Sequence, residues 1–341
     1  MSNREAPLLI IGPAWVGDMM MSQVLFKLLK IQDPDRPIDV IAPPHSAPLL
    51  TRMPEVRRFI PLAIGHGQLQ FATRYQLAKT LRREGYQQAI ILPNSFKSAL
   101  IPFLARIPKR TGWLGEYRFG LLNDIRYLNK KLLPLMIERF AALAFTPDMP
   151  LSATLPWPSL HVDKEALAKT LQTVGLSMPT RPILALCPGA EFGPAKRWPA
   201  QHYSAIAQQK LAEGYEVWLI GSSKEQADAA EIMQATANGC SDLTGKTSLD
   251  QAIDLLSLAS IAISNDSGLM HIAAALQRPL VVLYGSSSPG FTPPLNDKVE
   301  ILSLQLSCSP CFKRECPLGH LKCLVDLLPE RVLQAMGKLG Y

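Results

Sequence analysis

Short runs of apolar, often β-branched residues recur along the chain and alternate with longer segments whose apolar residues return every three or four positions. The short runs are typical of buried strands, and the longer segments are typical of amphipathic helices. In the first half this pattern predicts strands at 7–11, 38–42, 59–63 and 88–92, with helices at 19–31, 44–52 and 69–84 between them. Such alternation favours a parallel sheet wrapped by helices.

A second series of the same kind begins at Ile183, with predicted strands at 183–187, 216–220, 260–263 and 280–284 and helices at 199–213, 224–237 and 249–259. Between the two series, six prolines from 147 to 182 interrupt a region of weak periodicity, which is typical of a domain boundary. The pattern therefore predicts an α/β protein of two Rossmann-like, doubly wound domains, 1–180 and 181–328, that face a central cleft. A C-terminal helix at 329–341, opened by Pro329, is expected to pack back across that cleft.

Polar residues stand where the strand at 260–263 passes into the next helix, in the segment Ser264–His271. Gly268 allows a ligand to approach the backbone closely, and the first turn of the helix offers unpaired N–H groups and a positive dipole to an anion. Asp266 or Ser267 is suited to cap the helix. The segment is either an ordinary capped helix or an anion-binding turn, and spacing alone leaves both interpretations open.

The loop Pro188–Pro199 lies between the first strand and the first helix of the second series. Its glycines expose the backbone, while Lys196 and Arg197 supply positive charge for phosphate. In a parallel sheet this loop and the Ser264–His271 turn share one edge, so a diphosphate is expected to bind between them. The alternative is a solvated basic loop.

Asp18 occupies the equivalent turn after the first strand of the first domain. A carboxylate at the edge of a cleft can accept a proton from an attacking hydroxyl, whereas an isolated aspartate at this point can equally cap the following helix. The polar segment Pro93–Ser98 again follows a strand, where α/β proteins place ligands.

Composition adds an asymmetry of charge. The chain has 341 residues, 48% of them apolar, which is enough to form two hydrophobic cores. Its formal net charge is +7. Residues 1–180 carry 22 Lys and Arg against 13 Asp and Glu, whereas residues 181–341 carry 13 against 15. The basic excess of the first half favours a phosphorylated or membrane-surface partner there.

Several other classes are disfavoured. No G-x-G-x-x-G follows the first strand, and Gly239–Thr247 misses the P-loop pattern because Cys240 stands where that motif requires glycine. No RNA-binding signature or zinc-finger spacing supports a nucleic-acid partner. The apolar segment Ser98–Ile107 is broken by Pro102, so we expect no membrane span, and the amino terminus does not have the pattern of a signal peptide.

Four of the six cysteines, Cys308, Cys311, Cys316 and Cys323, follow the pattern C-x2-C-x4-C-x6-C. The cluster is compact enough to bind a structural metal, to form two disulfides or to remain as free thiols. Without a signal peptide, reduced thiols are favoured. We therefore assign no catalytic metal.

Five segments together resemble the family-9 glycosyltransferases of the GT-B fold. These segments are Gly12–Ser22, Leu92–Ala99, Arg110–Trp113, Cys187–Pro199 and Ser264–His271. The resemblance spans nearly the whole chain in the right order. It implies inverting, metal-independent transfer of L-glycero-D-manno-heptose from ADP-L-glycero-D-manno-heptose, with no cofactor, onto the first heptose of the lipopolysaccharide inner core.

Carried over position by position, the resemblance implies that Asp18 is the general base. It places donor contacts at Lys196, Glu225, Asp266, Ser267, Gly268, Leu269 and His271. The expected acceptor contacts are Gly17, Asn94, Ser95, Lys97, Arg110 and Arg118. The acceptor would be heptosyl-Kdo2-lipid A, reached by a cytoplasmic protein bound peripherally to the inner face of the inner membrane.

Three further possibilities remain open from the residues. One is transfer to another core acceptor, as heptosyltransferases I and III perform. A second is a nucleotide-sugar 2-epimerase of the same fold, although no cluster of carboxylates and histidines supplies its additional acids and bases. A third is a silent protein that binds nucleotide or lipopolysaccharide.

Overall fold

The computed structural model describes residues 6–65, 67–147 and 149–341, which form two compact units, Met1–Pro158 and Ser159–Tyr341. The predicted boundary near Thr180 therefore lies too far along the chain. The reason is helix α6 (Lys164–Thr173), whose Thr170 hydroxyl donates a 2.8 Å hydrogen bond to buried Asp254 in the second unit. The proline-rich sequence up to 182 thus includes a helix of the second core.

The first unit is built around a six-stranded parallel sheet in the order β3-β2-β1-β4-β5-β6. Its strands are β1 (Leu8–Ile11), β2 (Ile38–Ala42), β3 (Arg58–Pro61), β4 (Gln88–Ile91), β5 (Lys109–Trp113) and β6 (Asp124–Arg126). Its helices are α1 (Val16–Gln32), α2 (Ala47–Leu50), α3 (Phe71–Leu81), α4 (Leu100–Leu104) and α5 (Met136–Ala141). Strands β1 and β2 are buried along their whole length, as a sheet covered on both faces requires.

The second unit repeats this topology in the order β12-β11-β10-β7-β8-β9. Its strands are β7 (Ile183–Cys187), β8 (Glu216–Leu219), β9 (Ser241–Asp242), β10 (Ile261–Asn265), β11 (Leu280–Leu283) and β12 (Val299–Leu302). Besides α6, its helices are α7 (Ala200–Ala212), α8 (Gln226–Ala235), α9 (Leu249–Ser257), α10 (Gly268–Ala275), α11 (Lys322–Val325) and α12 (Pro329–Lys338). Both units thus have the Rossmann strand order, and the predicted α/β class is confirmed.

The C-terminal helix α12 belongs to the core of the second unit. Its buried residues Val332, Ala335 and Met336 join the apolar cluster that includes β7, α7 and β11. The apolar stripe of this helix thus packs against its own sheet, and its predicted position across a cleft stays a prediction. Within the described residues, no helix is both long and apolar enough to cross a bilayer.

Candidate active site

In each unit, the segments that follow two neighbouring central strands carry most of the predicted site residues. The chain order of the strands reverses between β1 and β4 in the first sheet and between β7 and β10 in the second. Strands pair in parallel at both places, so the two loops at each reversal leave the sheet at the same edge. Open α/β sheets bind ligands at this switch point.

In the second unit, buried Asn265 at the end of β10 ties the loop after β7 to the sheet. Its side-chain oxygen accepts from the backbone N–H of Trp198 at 3.1 Å, and its amide donates to the carbonyl of Pro188 at 2.6 Å. The two ends of the Pro188–Pro199 loop are therefore fixed by one side chain. Asn265 was not among the predicted site residues, and only its position at a strand end pointed to it.

Lys196 and Asp266 form the charged centre of this edge. The Lys196 ammonium lies 2.5 Å from a carboxylate oxygen of Asp266, and the two side chains are 17% and 4% exposed. The same ammonium lies 5.0 Å from the ring centroid of Phe192, and Arg314 lies over that ring at 5.4 Å. A cation held between a carboxylate and a ring face is fixed in direction and remains partly open to an anion.

Helix α10 begins beside this pair. Its N-cap residue Ser267 makes no side-chain cap bond among the described residues, so the N–H groups of the first turn, starting at Gly268, are not capped by that hydroxyl. Ser267, Gly268 and Leu269 are partly exposed. The positive end of α10 and the Lys196 ammonium thus lie close together, an arrangement that favours an anion, and anion binding at this turn stays a prediction.

His271 lies one turn into α10 and is buried. Burial lowers the pKa of His271 to about 4, while Asp266 acts in the opposite direction and Lys196 lowers it further. The imidazole is therefore neutral near pH 7 and can donate one hydrogen bond without adding charge.

We predict that His271 makes folding stability depend on pH. The pKa is lower in the folded chain than the ordinary 6.5, so the unfolded chain binds more protons between pH 6.5 and 4 and stability is lost as pH falls through this window. The loss approaches about 3 kcal/mol. Denaturant unfolding of wild type and His271→Gln from pH 7 to 4 should show a shallower loss in the variant, whereas parallel curves would contradict the prediction.

Glu225 is buried and already engaged. One carboxylate oxygen accepts from the Ser222 backbone N–H at 2.8 Å and from its hydroxyl at 2.7 Å, and the other lies 3.4 Å from Arg197. A β-carbon on Gly189 would lie 2.9 Å from this carboxyl group, so the loop after β7 passes directly against it. Glu225 therefore lies against the loop after β7, and its predicted contact with the donor stays a prediction.

Gly193 lies in the Pro188–Pro199 loop at a point of close backbone contact. A β-carbon there would lie 2.4 Å from the carbonyl oxygen of Arg314, which also accepts from the Ala195 N–H at 3.0 Å. We expect Gly193→Ala to displace the turn that carries Lys196, because the added β-carbon would clash with the Arg314 backbone. Displacement of Lys196 should weaken ADP binding about tenfold or more, which corresponds to about 1.4 kcal/mol. Isothermal calorimetry with ADP checks this, with Gly214→Ala as a glycine control remote from the loop; unchanged affinity would contradict it.

In the first unit, Asp18 lies in the first turn of α1, directly after the loop that follows β1. The N-cap is Trp15, which makes no side-chain cap bond in the described structure, so Asp18 is not the N-cap residue. Asp18 and Gly17 are partly exposed. The carboxylate therefore lies at the switch point of the first sheet and not in its packed interior.

The loop after β4 lies at the same switch point. Asn94 is exposed and Ser95 and Lys97 are partly exposed, which leaves them accessible to a ligand. The loop is braced from both sides, because the Phe96 N–H donates to Glu116 at 2.6 Å and Arg74 donates to the Lys97 carbonyl at 3.2 Å.

Two of the predicted acceptor contacts are placed differently. Arg118 is fully buried and donates to the carbonyls of Pro93 and Trp113 and to the Ser98 hydroxyl, so it supports the loop after β4 from within the core. This placement does not favour the predicted acceptor contact, because the core uses this arginine to satisfy carbonyls, which the sequence does not show.

Arg110 lies at the amino end of β5, whereas the predicted acceptor loops follow the carboxyl ends of the strands. Its guanidinium donates to the carbonyls of Leu121 and Ile107 at 2.6 Å. The structure therefore does not bring Arg110 together with Asn94 and Lys97.

The four clustered cysteines line one small cavity of about 20 Å³ together with Ala195 and Ser286. All six cysteines of the chain are free thiols in the described structure. Among the described residues, no group of three or more His, Cys, Asp or Glu side chains is arranged to hold a metal ion. Because Ala195 lines the same cavity, the cysteine cluster packs against the Lys196 loop.

The comparisons agree with this architecture. Residues 74–322 match the family model for glycosyltransferase family 9 (heptosyltransferase). Lipopolysaccharide heptosyltransferase 2 of Escherichia coli K12 is 48% identical over 341 residues, covering 97% of this chain and 98% of that protein. Lipooligosaccharide heptosyltransferase 2 of Haemophilus influenzae is 48% identical over 345 residues, covering 97% and 99%. The solved structure of E. coli ADP-heptose lps heptosyltransferase II superimposes with a TM-score of 0.87 at 46% identity and 98% coverage of both chains.

Two Rossmann-type units, with polar loops at each switch point, define this chain as a glycosyltransferase of the GT-B fold. The sequence similarity over nearly the whole chain narrows this class to one family. The chain belongs to glycosyltransferase family 9, the heptosyltransferases.

Proposed function

We propose that this chain transfers L-glycero-D-manno-heptose from ADP-heptose to the first heptose of the lipopolysaccharide inner core, as a heptosyltransferase 2. The observation that carries the proposal is the 48% identity over nearly the whole chain to curated proteins of that activity. The similarity includes both units, and so covers the loops of both switch points.

The second unit is proposed to bind the donor. Lys196 and the N–H groups at the start of α10 would hold the diphosphate, with Asp266 directing the Lys196 ammonium and His271 contributing an uncharged donor. ADP is a good leaving group when its developing charge is neutralised, and a fixed ammonium with a helix N-terminus supplies positive charge at the required place. We therefore propose that transfer requires neither a metal ion nor a cofactor.

The first unit is proposed to activate the acceptor. The acceptor hydroxyl would give its proton to the Asp18 carboxylate while its oxygen forms a bond to the anomeric carbon of heptose. The bond from that carbon to the ADP oxygen breaks with its electron pair, so ADP leaves from the opposite face. One displacement of this kind inverts the anomeric centre.

Asn94, Ser95 and Lys97, with Gly17 beside Asp18, are the proposed acceptor contacts. Their accessibility and their position at the same switch point as Asp18 support this choice. Lys97 supplies a positive charge for the acidic sugars and phosphates of heptosyl-Kdo2-lipid A. Since that acceptor is a membrane lipid, we place the protein in the cytoplasm, bound peripherally to the inner face of the inner membrane, with no nucleic-acid partner.

An ADP-release assay separates this proposal from its alternatives. A heptosyltransferase releases ADP from ADP-heptose only when a heptosylated acceptor is added. A 2-epimerase would convert the donor without an acceptor, and a silent binding protein would do neither. An acceptor that lacks the first heptose is the control, and ADP release at the same rate with it would contradict the proposed acceptor.

A further inference from the structure

Exposed aromatic side chains are concentrated in the first unit. Among the described residues, nine large aromatic side chains are exposed there, and Phe312 alone is exposed in the second unit. The nine are Trp15, Phe71, Tyr75, Phe96, Phe103, Tyr117, Phe119, Tyr127 and Trp157. The same unit carries the basic excess of the chain, so aromatic and positive surface occur together. Membrane interfaces favour this combination of side chains.

Part of this surface is continuous. We call it the α3–α4 face, and it consists of Phe71, Tyr75, Arg82, Phe103, Arg106 and Arg110. The Phe71 and Tyr75 rings are stacked with centroids 6.4 Å apart, and the Arg82 guanidinium lies 6.0 Å from the Tyr75 ring. Arg82 also donates to the Leu104 carbonyl at 2.8 Å, which joins the end of α3 to the end of α4. Arg110 lies 5.6 Å from the Phe103 ring and completes the face.

The face also contains an open depression of about 450 Å³. It is lined by Phe103 and Leu104 and by the three arginines of the face. Exposed Lys79 and Arg83 extend the positive charge along α3. The nearby acid Glu84 is paired with Arg58 at 3.1 Å, and Lys109 is paired with Asp124 at 3.4 Å, so these acids do not cancel the arginines of the depression.

The arginine end of the face is separate from the proposed acceptor loops. Arg106 and Arg110 lead into the amino end of β5, whereas Asp18 and Asn94 follow the carboxyl ends of β1 and β4. Since these strands are parallel, the two groups of residues lie at opposite ends of the strands, one at the amino ends and one at the carboxyl ends. The phosphates that these arginines attract are therefore not those next to the reacting hydroxyl.

We propose that the α3–α4 face docks on the surface of a bilayer that contains anionic phospholipid. Its rings enter the headgroup region, and its arginines, together with Lys79 and Arg83 beside them on α3, bind headgroup phosphates. This inference rests on the proposed function for the membrane location and adds the surface that makes the contact. Half-exposed rings fixed by stacking and by neighbouring arginines lose little conformational freedom when they enter the interface.

Vesicle sedimentation with the full chain tests the proposal. The wild type should bind vesicles of phosphatidylcholine with phosphatidylglycerol, bind pure phosphatidylcholine much less, and be released by high salt. Lys79→Gln with Arg106→Gln, and separately Phe71→Ser with Phe103→Ser, should each weaken partition about tenfold or more. Tyr127→Ser and Arg331→Gln, exposed residues outside the face, should leave partition unchanged.

A second readout keeps docking distinct from catalysis. The four residues replaced in the two double variants are exposed, and unchanged thermal unfolding confirms that each variant is folded. Heptosyl transfer to a deacylated, water-soluble acceptor should be unchanged in both double variants. Wild-type partition of these variants would overturn the proposal, as would loss of transfer to the soluble acceptor. Failure of wild type to transfer heptose would instead contradict the proposed function while leaving vesicle binding measurable.

Discussion

Asp18→Asn is expected to lower turnover about 10²-fold or more while leaving ADP affinity nearly unchanged. Asparagine keeps the size of the side chain and removes its ability to accept a proton. Asp18 lies in the first turn of α1 in the first unit, whereas the proposed donor contacts Lys196 and Asp266 belong to the second, so we expect the substitution to leave them unchanged. Steady-state kinetics with saturating donor and acceptor, together with calorimetry with ADP, measure the two quantities.

Asp35→Asn is the matched control for this prediction. Asp35 is an exposed acid of the same unit, and the same change of charge there should have little effect on turnover. Turnover of Asp18→Asn close to wild type would remove Asp18 from the proposed role of general base. A loss confined to ADP affinity would assign it to donor binding instead.

Lys196→Ala is expected to weaken ADP binding by roughly 1.5–3 kcal/mol, the range for a hydrogen bond to a charged group. The effect has two sources. The substitution removes the cation proposed to hold the diphosphate, and it leaves the 4% exposed Asp266 carboxylate without the ammonium now 2.5 Å away. An unpaired carboxylate next to phosphate repels it.

A double-mutant cycle separates these two sources. Asp266→Asn added to Lys196→Ala should recover part of the lost ADP affinity, because the repulsion is removed while the missing cation is not replaced. Lys338→Ala is the control, since Lys338 is a 66% exposed lysine on α12 whose partner is Glu300. Unchanged calorimetric affinity for ADP in Lys196→Ala would contradict the phosphate assignment.

The sheet strands nearest the switch points were the most predictable part of the fold. β2 and β7 have the predicted bounds, because a fully buried parallel strand is a short run of mainly apolar residues; the one exception in β2 is buried Asp39, which is paired with Arg57 and Tyr86. Strands β5, β6 and β12 were not predicted, since Lys109–Trp113, Asp124–Arg126 and Val299–Leu302 contain charged residues and lie towards the sheet edges. These strands are recognised only from their backbone pairing with a neighbouring strand, which the sequence does not show.

The site was predictable where charged or polar residues directly follow the end of a strand. Lys196 and Asp266 were each identified from their loops, and the structure joins them in one ion pair. Arg118 shows the limit of that reasoning, because its buried hydrogen bonds to carbonyls depend on packing that no spacing reveals. Arg314 shows the converse, since it reaches the Phe192 ring from a segment more than a hundred residues away in sequence.

Mass spectrometry of the product shows which sugar of the acceptor receives the heptose. The chain is incubated with ADP-heptose and with defined truncated lipopolysaccharide acceptors that end before or after the first heptose. We expect addition of a single heptose residue, located by fragmentation on the first heptose, and no product from the acceptor that lacks it. Addition to the shorter acceptor, or no heptosylated product from either acceptor, would show that this chain is not a heptosyltransferase 2.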